Sequence, residues 1–158
     1  MITIRKAERN DAQAAFEVRN RAILSKCTGH YSEQQLQTWI SGSISEAFEK
    51  TVEKSFYVAV KDGEIVATGM ITFETGMVDA IFVDPDQMGY GLAKAMINHI
   101  EKLAVSAGLT VLKLESTLNA ASFYRSCGFE GDEVSTYQSA KGVTLSCVPM
   151  VKKLQSSA

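Results

Sequence analysis

The stretch from Phe56 to Pro85, FYVAVKDGEIVATGMITFETGMVDAIFVDP, limits the possible folds of this chain more than any other. Two apolar runs are joined by Lys61-Asp62-Gly63, and a third follows Glu74-Thr75-Gly76. Asp-Gly between apolar runs is a strong hairpin signal, because both residues tolerate the positive φ of a tight turn. The pattern predicts three antiparallel strands over Phe56–Lys61, Glu64–Phe73 and Met77–Val83. Pro85 ends the third, since it has no N–H to give a ladder. Directly after it comes a turn with glycines two apart, DQMGYGLAKAM. Beyond that, Leu92, Ala95, Met96, Ile100, Leu103 and Ala104 recur at helical spacing and end near Gly108.

The flanks complete the pattern. Ile2 and Ile4 alternate with polar residues as in a short strand, and Asn10 and Asp11 are candidate N-caps for the next helix. Its apolar stripe is Ala12, Ala15, Phe16, Ala22 and Ile23. A second helical region starts near Ser32, passes Leu36, Trp39 and Ile40, weakens at the SGSIS of residues 41–45, and resumes over Glu46 to Val52. After Gly108, TVLKLES reads as a strand and Asn119 to Cys127 as a short helix closed by Gly128. Two last strands, around Glu133–Gln138 and Thr144–Lys152, are joined by a turn at Lys141-Gly142, with Pro149 fitting the second poorly. The order β-α-α-β-β-β-α-β-α-β-β describes an α+β domain over residues 1–154, with 155–158 as a loose tail.

Composition narrows the function classes. A net charge of −2 gives no general attraction to nucleic acid or an acidic membrane, so a bound polyanion must be held locally. No apolar stretch approaches the ~20 residues of a membrane span, and the charged MITIRKAERND start is unlike a signal peptide. The three cysteines, Cys27, Cys127 and Cys147, have no metal-site or disulfide spacing. They suit reduced thiols in a cytoplasm, with no metal expected.

The glycine turn leads into a helix start, where unpaired N–H groups and a partial positive charge suit phosphate. A tight turn that merely needs positive φ would look the same. A P-loop is excluded by the lack of a Lys-Ser or Lys-Thr pair after Gly91. A dinucleotide fingerprint is opposed by Lys94 in its last position and by the antiparallel strand before the turn, although Glu115 stands near where a ribose-binding acid would.

The second half adds ESTLNAASFYRSCGF. Together, AIFVDPDQMGYGLAKAM and the pattern of Asn119, Ala120, Phe123, Tyr124, Gly128 and Phe129 resemble the two signatures of the GCN5-related N-acetyltransferase (GNAT) superfamily. The opening ITIRKAERNDAQAAFEV is also similar to the start of such domains, so the likeness covers essentially the whole chain. It implies a mixed, mostly antiparallel sheet flanked by helices, acetyl-CoA as acyl donor, and acetyl transfer to a primary amine of a small molecule or peptide. An acyl-CoA-binding or sensing module on the same fold is the alternative, and a homodimer is compatible with an exposed edge strand. One departure stands out. The family's turn opens with Gln or Arg, but that position is Asp86 here. Either Gln87 serves from a shifted loop or backbone groups hold the diphosphate alone.

By this resemblance, main-chain atoms of Phe82 and Val83 face the pantetheine and thioester. The N–H groups of Gln87, Met88, Gly89, Tyr90, Gly91, Leu92 and Ala93 face the diphosphate. Asn119 bonds the pantetheine arm or caps its helix, and Lys94 and Arg125 reach outer phosphates or are simply solvated. An amine of pKa ~10.4 is almost wholly protonated at neutral pH, so transfer needs a base, and a departing thiolate is helped by an acid. Tyr124 is the acid candidate, against a purely packed tyrosine beside Phe123 and Phe129. Asp79 is the base candidate, against a structural carboxylate, and period two places it with Ile81 and Val83. The segment holding His30, Tyr31, Glu33 and Trp39 corresponds to the acceptor wall, although a Trp39 at helical spacing from Leu36 and Ile40 is more often core. His99 reads as a histidine at the edge of the core.

Overall fold

The first hairpin forms where its sequence predicts. In the computed structural model, which describes residues 1–139 and 142–155, Asp62 and Gly63 both take positive φ (53° and 80°). This two-residue turn matches the twist of the strands it joins. It connects β2 (Phe56–Lys61) to β3 (Glu64–Thr72), which pairs in turn with β4 (Met77–Val83). β1 (Ile2–Lys6) closes one side on β2. On the other side stand β5 (Val111–Ser116), β7 (Thr144–Lys153) and β6 (Ser135–Gln138), so the sheet has seven strands in the order β1-β2-β3-β4-β5-β7-β6. All neighbours are antiparallel except β4 and β5.

Helices cover both faces. The second helical region divides at its Ser-Gly-Ser break into α2 (Glu33–Trp39) and α3 (Glu46–Ser55), capped by the hydroxyls of Ser32 and Ser45. On one face α1 (Ala12–Lys26) and α3 pack Ala12, Ala15 and Val52 against Phe56 and Val58. On the other, α4 (Leu92–Ser106) and α5 (Ala121–Ser126) bury Leu92, Met96, Ile97, Ile100, Ala121 and Tyr124 against Val78, Leu112, Leu114 and Met150. Gly69 allows the closest approach: a Cβ there would lie 2.6 Å from Met96 Cγ. A side chain on β3 at that point would force the Met96 and Ile100 side chains to move.

Several expectations shift in detail. On α4, Ala95 is exposed and Ile97 takes the buried place instead. Asp11 stands at the cap position of α1 but turns back, accepting from the Glu8 N–H at 2.7 Å and pairing with Arg5 at 2.8 Å. Pro149 is accommodated inside β7 because β6 has ended by then; the last β6 partner is Cys147, and Pro149 keeps only β5 residue Glu115 opposite it. His99 is half-buried with its ring edge-on to Tyr57. Of the turn expected at Lys141-Gly142, Lys141 lies outside the described residues, as do residues 156–158 of the expected tail.

Candidate active site

β4 and β5 are joined only at their beginnings. Met77 stands opposite Lys113, and the Lys113 N–H donates to Gly76 O at 2.9 Å. Beyond that point the pairing stops and the strands part. β4 also carries a bulge: Thr68 faces Phe82 while Met70 faces Asp79, leaving Gly69 opposite both Ala80 and Ile81. Ala80 takes φ +55°, and the fully buried Thr68 hydroxyl fixes it by donating to its carbonyl at 2.7 Å. The extra residue reverses the alternation of the strand. Ile81 and Val83 pack with the α4 cluster, whereas Ala80 and Met70, the partner of Asp79, pack toward α1 and α3. The expected common face of Asp79, Ile81 and Val83 is therefore corrected; the inserted residue separates them.

Two cavities meet at the gap. One, of 420 Å³, is bounded by Val78–Val83, by the turn into α4, and by Asn119, Phe123 and Tyr124 near α5. The other, of 660 Å³, lies beneath α1, α3 and the β6–β7 pair. Asp79, Ala80, Phe82, Glu115, Ser116 and Thr117 border both. A ligand threaded between the strands would present its end to whatever sits in the second cavity.

The turn makes an anion seat at the mouth of the first cavity. A 3-10 turn over Pro85–Gln87 consumes two amides: Gln87 N–H bonds Asp84 O at 2.8 Å, and Met88 N–H bonds Pro85 O at 3.4 Å. These two amides are thus engaged in the turn, which corrects their expected role. Among the described residues, the N–H groups of Gly89 through Lys94 have no backbone acceptor. Gly91, at φ +72° and ψ 22°, is the N-cap of α4 in a left-handed conformation that a branched residue resists. No atom lies within 4 Å of a Cβ placed on Gly89 or Gly91, so the outer face of the turn is open. The positive end of a 15-residue helix points into that space.

Individual side chains divide clearly. Gln87 lines the first cavity and accepts from Lys61 Nζ at 3.0 Å; Asp86 is exposed and outside both linings. Lys94 and Asn119 line the first cavity, and Asn119 Oδ1 accepts from the Cys27 thiol at 3.4 Å instead of capping α5. The Tyr90 side chain is outside, stacked over Lys61 Nζ at 4.9 Å. Arg125 is also outside, exposed, with Nε donating to Gly131 O at 3.1 Å. Tyr31 and Trp39 line the second cavity with rings edge-on at 5.8 Å, and the Tyr31 hydroxyl donates to Ser146 O at 2.7 Å. His30 and Glu33 face solvent and border neither cavity, because they lie on the outer side of the loop and of α2.

Tyr124 is 7% exposed and held edge-on by Phe123 and Phe129 at 5.2 and 5.9 Å. Its side chain borders the first cavity. Burial raises its pKa well above the ordinary phenol value, with Cys127 and Asp79 adding to the effect, so it stays protonated. Burial, reinforced by Glu115, pushes the Asp79 carboxyl up to about 6, which leaves it mainly ionised at neutral pH but close to its titration. The thiols of Cys27 and Cys147 are both pushed up to about 11 by burial, which disarms them as nucleophiles.

Arg19 and Tyr137, which also line the second cavity, escaped the sequence analysis, and Glu115, weighed there only as a ribose-binding acid, lines it too. For Arg19 a signal exists: it falls at helical spacing inside the buried stripe Ala12, Ala15, Phe16, Ala22 and Ile23.

Comparison with known proteins fits this geometry. The chain is 27% identical over 129 residues to the uncharacterized N-acetyltransferase YafP of Escherichia coli, covering 82% of this chain and 81% of that one. It is 28% identical over 131 residues to the peptidyl-lysine N-acetyltransferase YjaB of Salmonella typhimurium, covering 82% and 84%. Among solved structures, a GCN5-related N-acetyltransferase from Rhodopseudomonas palustris superposes with a TM-score of 0.87 at 25% identity, over 96% of this chain and 95% of that one. The putative acetyltransferase yncA of Salmonella typhimurium, solved with acetyl-CoA, superposes at 0.70 with 21% identity over 100% and 96%. A family model for the acetyltransferase (GNAT) domain matches residues 27–154. The glycine turn, the parted strands and the tyrosine of α5 thus sit in a chain that belongs to the GNAT family of acetyl-CoA-dependent N-acetyltransferases.

Proposed function

We propose that this enzyme acetylates a primary amine held in the 660 Å³ cavity, by direct attack on a thioester lying in the gap between β4 and β5. The observation that carries this reading is the gap itself. It joins an anion seat to a second cavity and has a phenol kept protonated by burial on one side and a carboxyl of raised pKa on the other.

The cradle suits acetyl-CoA. Open space over Gly89 and Gly91, with the free N–H groups of Gly89 to Lys94, matches a diphosphate. The unpaired inner edges of β4 and β5 match the amides of a pantetheine arm. When bound there, acetyl-CoA supplies the activated acetyl carbon.

The chain's own groups then handle the protons. Asp79, ionised above about pH 6, accepts a proton from the ammonium through water and so frees the amine lone pair. A nitrogen–carbon bond forms to the acetyl group, the carbon–sulfur bond breaks, and the nitrogen's second proton leaves through water to solvent, to which Asp79 also returns the first. The Tyr124 hydroxyl gives its proton to the departing sulfur and recovers one from solvent after product release. With the thiols of Cys27 and Cys147 protonated, no acyl-enzyme on them is needed.

The test is a thiol-release assay over an amine panel, run beside thermal unfolding with acetyl-CoA, NAD and ATP. Acetyl-CoA is expected to stabilise the protein by about 2.7 kcal/mol at a hundredfold excess over Kd. Stabilisation by NAD or ATP instead, or tight acetyl-CoA binding with no release of thiol over a broad panel, overturns the proposal.

A further inference from the structure

The second cavity is electrically polarised, and this polarity constrains its occupant. At the gap stand two carboxylates, Asp79 and Glu115. A third charged lining group, Arg19, comes from the middle of α1. Tyr137 also lines this cavity, and all three charges act on its hydroxyl. Aromatic and aliphatic side chains, including Phe16 and Trp39, make up much of the remaining wall.

Arg19 is the unusual member. It is half-buried on the core-facing stripe of α1 with its guanidinium over the Phe16 ring at 5.5 Å. Nη2 donates to Trp39 O at 2.9 Å and Nη1 to Asn20 Oδ1 at 2.6 Å. Neither acceptor is a carboxylate, and Arg19 forms no ion pair among the described residues. Two bonds leave donors of a five-donor fork unspent. A desolvated cation with spare donors in a largely apolar cavity gains most from an anion delivered by the ligand.

We infer that the acceptor is a small amphoteric molecule: an apolar or aromatic body bearing a primary amine and, apart from it, a carboxylate that Arg19 binds. This rests on the acetyltransferase reading for its amine end, which the carboxylates at the gap attract and deprotonate. The anionic end rests on Arg19 alone. A long peptide with a lysine side chain reaching the gap would leave the guanidinium unsatisfied, so small amino acids are favoured over peptidyl lysine.

Matched probes decide the matter. Phenylalanine, leucine and aminomethylbenzoate are each compared with the corresponding amide, and all with a C-terminally amidated lysine peptide. Both kcat/KM and direct binding to the protein saturated with CoA, which has no acetyl group to transfer, are measured. For at least one pair, the acid is expected to exceed its amide by about tenfold or more, mainly through KM and Kd, as a charge-assisted bond implies. Arg19→Gln should bring that ratio close to one and Arg19→Lys should restore part of it, while thermal stabilisation by acetyl-CoA stays as in the parent. Loss of packing alone would weaken acid and amide equally, so the ratio separates charge recognition from folding. Amides equal to acids in every pair, a ratio unmoved by Arg19→Gln, or a preference for the lysine peptide overturns the inference. Failure of acetyl-CoA to bind at all would instead strike the acetyltransferase reading, and acid-selective binding by Arg19 would still be measurable.

Discussion

The two cavities are built in opposite ways. The one at the mouth of α4 comes mainly from two continuous segments, residues 78–94 and 114–124, and has the free N–H groups of Gly89 to Lys94 at its mouth. The one under α1 draws side chains from α1, α2, α3 and every strand from β2 to β7, each giving one or a few residues. Backbone recognition needs only a turn of the right shape, so Gly89 and Gly91 matter and their neighbours can vary. Side-chain recognition depends on residues such as Arg19 and Tyr137 that are brought together only by the completed sheet. The contrast explains how one scaffold can keep a single acyl donor while its acceptor differs.

Substitutions at the junction of the two cavities should have the largest effects. Tyr124→Phe is expected to lower kcat by about 10²–10⁴-fold, the usual contribution of a positioned acid, with acetyl-CoA affinity unchanged. Full activity in that variant would show that the phenol only packs. Asp79→Asn should lower turnover by a similar factor and abolish the fall in kcat/KM as pH drops through about 6. Its effect on stability has the opposite sign. The folded carboxyl binds its proton more tightly than the unfolded one, so ionisation costs stability increasingly as pH rises from the unfolded value of ~3.9, and fully above about 6. Asn removes that cost, so the variant should melt higher than the parent at pH 8 and no higher at pH 4; an unchanged melting difference would refute the assignment.

The next effects separate the cavities. Gly91→Val forces a branched residue to φ +72°, at a cost of about 1–3 kcal/mol, and disturbs the amides that open α4. Acetyl-CoA stabilisation should disappear in this variant, while the isolated affinity for an acceptor changes little. Tyr31→Phe removes the bonds to Ser146 O and from Leu118 N–H, which should cost about 1–3 kcal/mol in unfolding experiments and raise acceptor KM without touching acetyl-CoA binding. The smallest effects belong to side chains outside both linings. His30→Ala, Glu33→Ala, Asp86→Ala and Arg125→Ala should each stay within about 0.5 kcal/mol in stability and show near-parental kinetics. A large kinetic defect in any of them would mean that the cavity walls close differently around ligand.

The readability of the sequence follows the same division. The hairpins, the glycine turn and the Tyr124 helix are local, set by Asp62-Gly63, Gly89, Gly91 and Gly128, and were legible from periodicity and turn chemistry. The bulge at Ala80 was not, because no glycine marks it; it is held by Thr68, twelve residues earlier along the chain. That single insertion moved Asp79 off the face of Ile81 and Val83. The acceptor wall was legible only in part. The resemblance pointed to the whole segment, of which Tyr31 and Trp39 line the cavity, whereas His30 and Glu33, close in sequence, point to solvent. Arg19 was visible as a charge interrupting an apolar stripe, and that mismatch is the clue to read in such helices.

The most direct measurement is a crystal structure of the protein with acetyl-CoA. The expected result has diphosphate oxygens within hydrogen-bond distance of the N–H groups between Gly89 and Lys94, the pantetheine arm between β4 and β5, and the thioester sulfur beside the Tyr124 hydroxyl. A donor bound elsewhere, or a sulfur out of reach of Tyr124 with the acetyl group turned away from the 660 Å³ cavity, would contradict it.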